Sequence, residues 1–206
     1  MYSKYLLLIL NCRKYSEKRK RQLEGWLKEF PMEYYHVIGD ESVDKYKFDE
    51  DNRVLYVECK DDYMSLCHKT CMMVRAVYES KPEIEYILKT DDDMDCCMNR
   101  FDEIIGVMKG YDYGGFMINV PEGVYSKYHT LRDDVENKDY IKLYGCEYCN
   151  GRFYFLSRIS MELIVGNEWI MKSSVYEDNA VGYVLSKYKI RKIGIPDKYL
   201  FSEWEE

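Results

Sequence analysis

The chain lacks a glycine-rich phosphate loop. Neither G-x-x-x-x-G-K-[ST] nor G-x-G-x-x-G occurs. The one glycine-bearing stretch, Gly110-Tyr-Asp-Tyr-Gly114-Gly115, is wrongly spaced and reads as a turn. P-loop and Rossmann dinucleotide enzymes are therefore disfavoured, although a diphosphate can also be held through a carboxylate-bound divalent ion. Histidine is scarce, and none follows His129. No apolar run reaches membrane length. Leu6–Leu10 is too short for a signal-peptide core or a span and fits a strand, so the expectation is a soluble or cytoplasmic chain without a membrane span. The eight cysteines show no metal-site spacing, because Cys146-x-x-Cys149 stands without a second pair or a nearby histidine, and reduced, buried thiols are the default. A net charge of −7 argues against nucleic acid as partner. The basic cluster Arg13, Lys14, Lys18, Arg19, Lys20 and Arg21 is local; it reads as a solvated helix face, with the alternative that one or two of these cations meet a diphosphate.

What is present is a 206-residue chain with 47% hydrophobic residues, expected to form one domain over residues 1–206 with a substantial core. Strands are expected at Leu6–Leu10, Tyr34–Ile38, Val54–Val57, Ile84–Leu88, Phe116–Val120, Arg152–Leu156 and Ile190–Ile193. Helices are expected from Ser16 to Phe30 (closed by Pro31), from Asp62 to Glu79, after Asn99 as N-cap, at Ser160–Val165, and along the stripe Val181, Val184, Leu185 and Tyr188. The alternation indicates an α/β class with a mixed, mostly parallel sheet flanked by helices. Residues 121–142 form a long polar stretch bearing Tyr125, Tyr128, His129 and Tyr140, and long loops of this kind usually carry function.

Asp91-Asp92-Asp93 follows the apolar run Ile84–Leu88 directly. Three adjacent carboxylates need a cation or hydrogen-bond donors to neutralise them. In extended backbone Asp91 and Asp93 share a face. Hard oxygen donors suit Mg²⁺ or Mn²⁺, which leave coordination sites for water and substrate phosphates. In an α/β sheet, ligands bind beyond the carboxyl ends of the strands, which is where this triplet falls.

Several segments together resemble glycosyltransferase family 31, the β-1,3-galactosyltransferase-like enzymes that include galactosyl-, N-acetylglucosaminyl- and Fringe-type transferases. Lys89-Thr90-Asp91-Asp92-Asp93 matches the family's K-T-D-D-D, a DXD motif. The segment from Asp61 to Thr70 is similar to D-x-Y-x-N-L-T-x-K-T, with Ser65 and Cys67 departing from it. The segment from Tyr148 to Ser157 resembles Y-C-S-G-G-G-Y-V-L-S, with Arg152 and Phe153 in place of two glycines. Glu177-Asp178-Asn179-Ala180-Val181-Gly182 is similar to E-D-V-x-x-G, and Arg21 with Trp26 resembles R-x-x-W more loosely.

The resemblance implies a GT-A-type fold and inverting, Mn²⁺- or Mg²⁺-dependent transfer of a hexose or N-acetylhexosamine from a UDP-sugar to a glycan hydroxyl. It implies Asp93 as metal ligand with Asp91, Asp91 and Asp92 directed at the donor, and Asp178 as general base, with Glu177 as fallback. Asp178 also suits the N-terminal cap of the helix that follows it. Arg13 and Lys69 are candidates for the diphosphate, with structural salt bridges as the alternative. The late metal-binding histidine found in many members is missing here, leaving water, a side chain such as Asp197 or a lost segment to take its place. Two other readings compete: a catalytically silent relative that binds nucleotide-sugar or glycan, and a nucleotidyltransferase, whose glycine-rich N-terminal loop Asn11-Cys12-Arg13-Lys14 lacks.

Overall fold

The computed structural model describes residues 2–131 and 135–204. In chain order the elements are β1 (Tyr5–Leu10), α1 (Ser16–Glu24), β2 (Glu33–Gly39), β3 (Tyr46–Asp49), β4 (Val54–Val57), α2 (Leu66–Ser80), β5 (Tyr86–Asp91), β6 (Met94–Cys96), α3 (Phe101–Met108), β7 (Tyr113–Val120), β8 (Tyr125–Ser126), β9 (Ile141–Lys142), β10 (Cys146–Ser157), α4 (Arg158–Gly166), α5 (Glu168–Lys172), α6 (Glu177–Ser186), β11 (Lys192–Gly194) and β12 (Phe201–Glu203). Eight strands form one sheet in the order β11-β7-β10-β5-β1-β2-β4-β3. The central run β4-β2-β1-β5 is parallel, and β10 enters antiparallel between β5 and β7. The expected mixed, mostly parallel α/β architecture is what the chain adopts.

β1 explains why the sheet has two covered faces. All six of its residues are buried. Leu6, Leu8 and Leu10 face a core shared with α2, α4 and α6, whereas Tyr5, Leu7 and Ile9 face a second core built with α3, Trp26, Phe153 and Phe201. The two-residue side-chain period sends alternate residues to opposite faces, so a continuous apolar run is what a strand covered on both sides requires. Each aliphatic side chain buried in this way contributes roughly 1.5–3 kcal/mol of transfer free energy.

Several sequence expectations shift. The helix expected to reach Phe30 ends at Glu24; Gly25 follows, and Trp26–Glu29 is a separate tight turn. Asn99 does not cap α3, whose preceding residue is Arg100. Gly114 and Gly115 lie inside β7 rather than in a turn. A Cβ on Gly114 would come within 2.5 Å of the Phe155 ring, and one on Gly115 within 2.5 Å of the Phe153 carbonyl. Their bare backbone lets β7 press against β10 where the β10 register shifts between Cys149 and Tyr154. Residues 121–142 carry the short β8–β9 ribbon, and positions 132–134 of that stretch lie outside the described residues.

Candidate active site

Because β4, β2, β1 and β5 run in the same direction, their carboxyl ends share one edge of the sheet, the place where α/β sheets bind ligands. There a cavity of about 510 Å³ opens, lined by Asn11 and Cys12 after β1, Asp61 and Asp62 after β4, and the acidic triplet after β5. Asn150–Arg152 of β10 and Tyr176–Asn179 at the start of α6 line it as well. Four of the segments singled out from the sequence therefore converge on one space.

The triplet is not extended throughout. Asp91 is the last residue of β5, and Asp92-Asp93 forms a turn into β6. Asp91 shares its strand face with Lys89, two residues earlier, and the Lys89 ammonium lies 2.8 Å from Asp91 Oδ1 and 2.7 Å from Glu177 Oε1. It also donates to the Gly151 carbonyl. Asp92 is buried, accepting from Asn11 Nδ2 at 2.7 Å. Lys18, projecting from α1, reaches Asp93 Oδ2 at 2.9 Å and Asp92 Oδ1 at 3.3 Å. Desolvation at the cavity wall, followed by repulsion from Glu177 and Asp93, pushes Asp91 up to about 6 against the pull of Lys89. Partial burial opposes the charge on Lys18, but Asp93 and Asp92 more than reverse this and raise its pKa.

Glu177 and Asp178 occupy the first turn of α6 yet differ in their partners. Glu177 is buried with both oxygens engaged: Oε1 with Lys89, and Oε2 accepting from the Tyr154 hydroxyl at 2.9 Å. That makes it a fixed counter-ion. Asp178 is not the N-cap, which is Tyr176. Its Oδ1 accepts the Asn179 N–H at 2.8 Å and its Oδ2 the Gly151 N–H at 3.2 Å. Burial, and then the charge of Glu177, push its pKa up to about 7. A Cβ on Gly151 would meet Glu177 Oε1 tightly at 3.2 Å and lie in ordinary contact with Lys89 and Asp178, so this glycine sits directly against the three-group cluster.

The remaining sequence candidates separate. Lys69 lines the cavity but is buried and fixed, donating to Asp61 Oδ1 at 2.6 Å and to the Asn11 carbonyl at 3.0 Å. Its structural salt bridge is thus present. Arg13 is not among the lining residues; its guanidinium pairs with Asp40, and only its backbone N–H meets Asp61. Asp197 points elsewhere, pairing with Arg152 at 2.7 Å beside a minor hollow rimmed by Phe116 and Phe201. Arg152 also binds Glu203 Oε1 at 2.8 Å, and Glu203 does line the cavity. Phe153 is buried against Phe201, with ring centroids 5.4 Å apart, so this departure from the family pattern serves the core. Sequence reasoning missed Lys89, Asn11 and Glu203 as parts of the site and offered Lys18 only as one of the six cations of the basic cluster. For Lys89 the signal was available, since i and i+2 share a strand face.

With this geometry in place, the comparisons with known proteins are decisive for the family. The profile of the Galactosyltransferase family matches residues 16–196. The chain belongs to that family. No curated protein sequence matches it. Among solved structures, a glycosyltransferase involved in the glycosylation of the major capsid of PBCV-1 superposes with a TM-score of 0.51 at 14% identity, covering 93% of this chain and 81% of that one. The A197 protein from STIV gives a TM-score of 0.48 at 15% identity over 98% of this chain and 86% of that one. The fold is accordingly of GT-A type, and this galactosyltransferase-family chain is a glycosyltransferase. Among the described residues, no helix is long and apolar enough to cross a membrane.

The family resemblance implies a divalent ion, and the donor chemistry at the turn fits one. Asp91 and Asp93 offer hard oxygens, with side chains 35% and 39% exposed at the cavity, and each has one oxygen engaged by a lysine. Among the described residues, no three His, Cys, Asp or Glu side chains already converge as a metal cage. Two carboxylates would leave the rest of the shell of a Mg²⁺-like ion to substrate phosphates and water.

Proposed function

We propose that this galactosyltransferase-family enzyme is an inverting transferase that moves a hexose or N-acetylhexosamine from a UDP-sugar to a glycan hydroxyl. The observation that supports it best is the placement of Asp178 on the wall of the cavity that also holds the acidic turn, where burial and then Glu177 push its pKa up to about 7. A general base works best when its pKa lies near the operating pH, and a well-placed one contributes about 10²–10⁴-fold. Asp178 takes the proton of the acceptor hydroxyl as that oxygen bonds to the anomeric carbon. The bond from that carbon to the β-phosphate oxygen breaks, UDP leaves with the electron pair, and a single displacement inverts the configuration. Glu177 is committed to the buried Lys89 ammonium and the Tyr154 hydroxyl, whereas Asp178 accepts only neutral backbone N–H groups, so Glu177 instead holds Lys89, which orients Asp91.

Asp93 and Asp91 would hold Mn²⁺ or Mg²⁺, whose charge supplies electrostatic stabilisation of the leaving diphosphate. Asp92, buried on Asn11 yet part of the cavity lining, would fix the turn and hold Lys18 on the donor side.

The test is turnover of several UDP-sugars, with candidate glycan acceptors, in the presence and absence of Mn²⁺. Wild type, Asp93→Ala and Asp178→Asn are compared. Mn²⁺-dependent turnover abolished by Asp93→Ala supports the reading. Donor binding without turnover for any donor would instead identify a silent nucleotide-sugar binder.

A further inference from the structure

Five cationic side chains line the cavity among the described residues: Lys14, Lys18, Lys69, Lys89 and Arg152. Lys69 and Lys89 are nearly sealed, with side chains 3% and 1% exposed, and each is fixed by two or more oxygens. Arg152 is tied to Asp197 and Glu203. Lys18 differs from these three. Its side chain is 28% exposed, its ammonium lies 4.8 Å from the centre of the Tyr15 ring, and Tyr15 also lines the cavity. Its partners are Asp93 and Asp92, the carboxylates of the turn itself. A lysine is a compact charge on a flexible four-carbon stem, able to change partners without moving its backbone.

We propose that Lys18 couples ion binding to donor binding: without nucleotide it holds Asp93 and Asp92, and it passes to the donor diphosphate, releasing Asp93 to the ion only when nucleotide arrives. This rests on the UDP-sugar reading. The physical reason is exclusion of like charges. An ammonium 2.9 Å from Asp93 Oδ2 and a divalent cation on the same carboxylate repel one another in a partly buried site. An ion arriving alone must displace Lys18 from Asp93 and leave it a single contact with Asp92 at 3.3 Å, while Asp61, Asp91, Glu177 and Glu203 of the lining already hold cations of their own. A nucleotide diphosphate brings Lys18 a further anion of higher charge. The two ligands then favour each other by the same factor, as linkage requires. Lys18 thus acts as a positioning residue that keeps the turn closed to free metal.

The experiment measures Mn²⁺ affinity by the electron paramagnetic resonance signal of free Mn²⁺, with and without UDP. It uses the full chain as wild type, Lys18→Met, Lys18→Arg and Lys20→Met. Lys20 is an exposed α1 residue outside the cavity lining and controls for net charge. In wild type, UDP is expected to tighten Mn²⁺ binding at least about tenfold. Lys18→Met tightens Mn²⁺ binding without UDP by about tenfold and shrinks the UDP enhancement by a similar factor. Lys18→Arg restores the wild-type pattern, and Lys20→Met does not change it. Near-wild-type far-ultraviolet circular dichroism confirms folding of each variant. The proposal is overturned if Lys18→Met binds Mn²⁺ alone no more tightly than wild type, or if Lys20→Met reproduces its effect. If wild type binds neither Mn²⁺ nor UDP, the UDP-sugar reading falls as well. Binding of both with unaltered coupling removes the Lys18 proposal alone.

Discussion

Asp178→Asn should move activity and stability in opposite directions, and pH should control the second effect. The folded pKa of Asp178 is raised from 3.8 to about 7, chiefly by burial. A carboxyl with a raised folded pKa favours folding at low pH, and this contribution is lost as pH rises through the folded value. At about 1.36 kcal/mol per pKa unit, the full shift corresponds to roughly 4 kcal/mol, and allowance for solvent screening at the cavity wall brings it to about 2 kcal/mol. Asparagine carries no charge, so it avoids this loss. It can accept only one of the two backbone N–H groups that Asp178 accepts, at a cost of about 1 kcal/mol that does not depend on pH. The unfolding free energy of the variant minus that of wild type should therefore rise by about 1 kcal/mol between pH 5 and pH 8, because part of the loss is already complete by pH 5, and it should pass from slightly negative to positive. Urea unfolding of both proteins at pH 5, 6, 7 and 8 reads this directly. Over the same range, wild-type transfer at subsaturating substrate should gain its base on a limb near pH 7, while the variant loses about 10²–10⁴-fold. A stability difference that stays flat with pH would refute the raised pKa, and full transfer activity in the variant would refute the base.

Two further perturbations address the scaffold under the site. Lys89→Met leaves Glu177 and Asp91 without their shared buried cation and should cost about 3–5 kcal/mol at neutral pH, with Lys89→Met/Glu177→Gln regaining more than half; a cost below about 1 kcal/mol in urea unfolding would contradict the buried-cation account. Gly182→Ala would place a Cβ 2.2 Å from the Tyr148 Cβ and 2.7 Å from its Cα, forcing α6 away from β10. A loss of at least about 1–3 kcal/mol, read as a fall in Tm of several degrees, should accompany lower transfer activity, because α6 carries Asp178.

The sequence exposed the acidic turn and the α6 carboxylates because their residue types sit badly with any purely structural purpose, and because the family blocks hold them in order. It was less informative about which cation meets them. Choosing Lys18 over Arg13 depends on where the chain turns into α1, and a shift of one residue rotates a helical side chain by about 100°. The two-residue strand period was applied to Asp91 and Asp93, but β5 ends at Asp91, so the rule holds for Lys89 and Asp91 instead. β3 escaped notice because it is a four-residue edge strand, none of whose residues is fully buried, and its pattern is too weak to stand out. Gly114-Gly115 looked like a turn because glycine marks both turns and close strand contacts, and only the neighbouring Phe155 and Cys149 distinguish the two.

β12 pairs with β6 immediately after the acidic turn, and the Trp204 N–H donates to the Asp93 carbonyl at 3.2 Å. The strand that braces the front of the site is thus the last of the described strands to leave the ribosome. During synthesis the central strands and α6 can assemble first, since N-terminal parts of a chain become available earliest. The acidic turn gains its outer wall only once residues 201–204 are free. Without residues 201–204 the acidic turn would lose both its paired strand and the hydrogen bond to the Asp93 carbonyl.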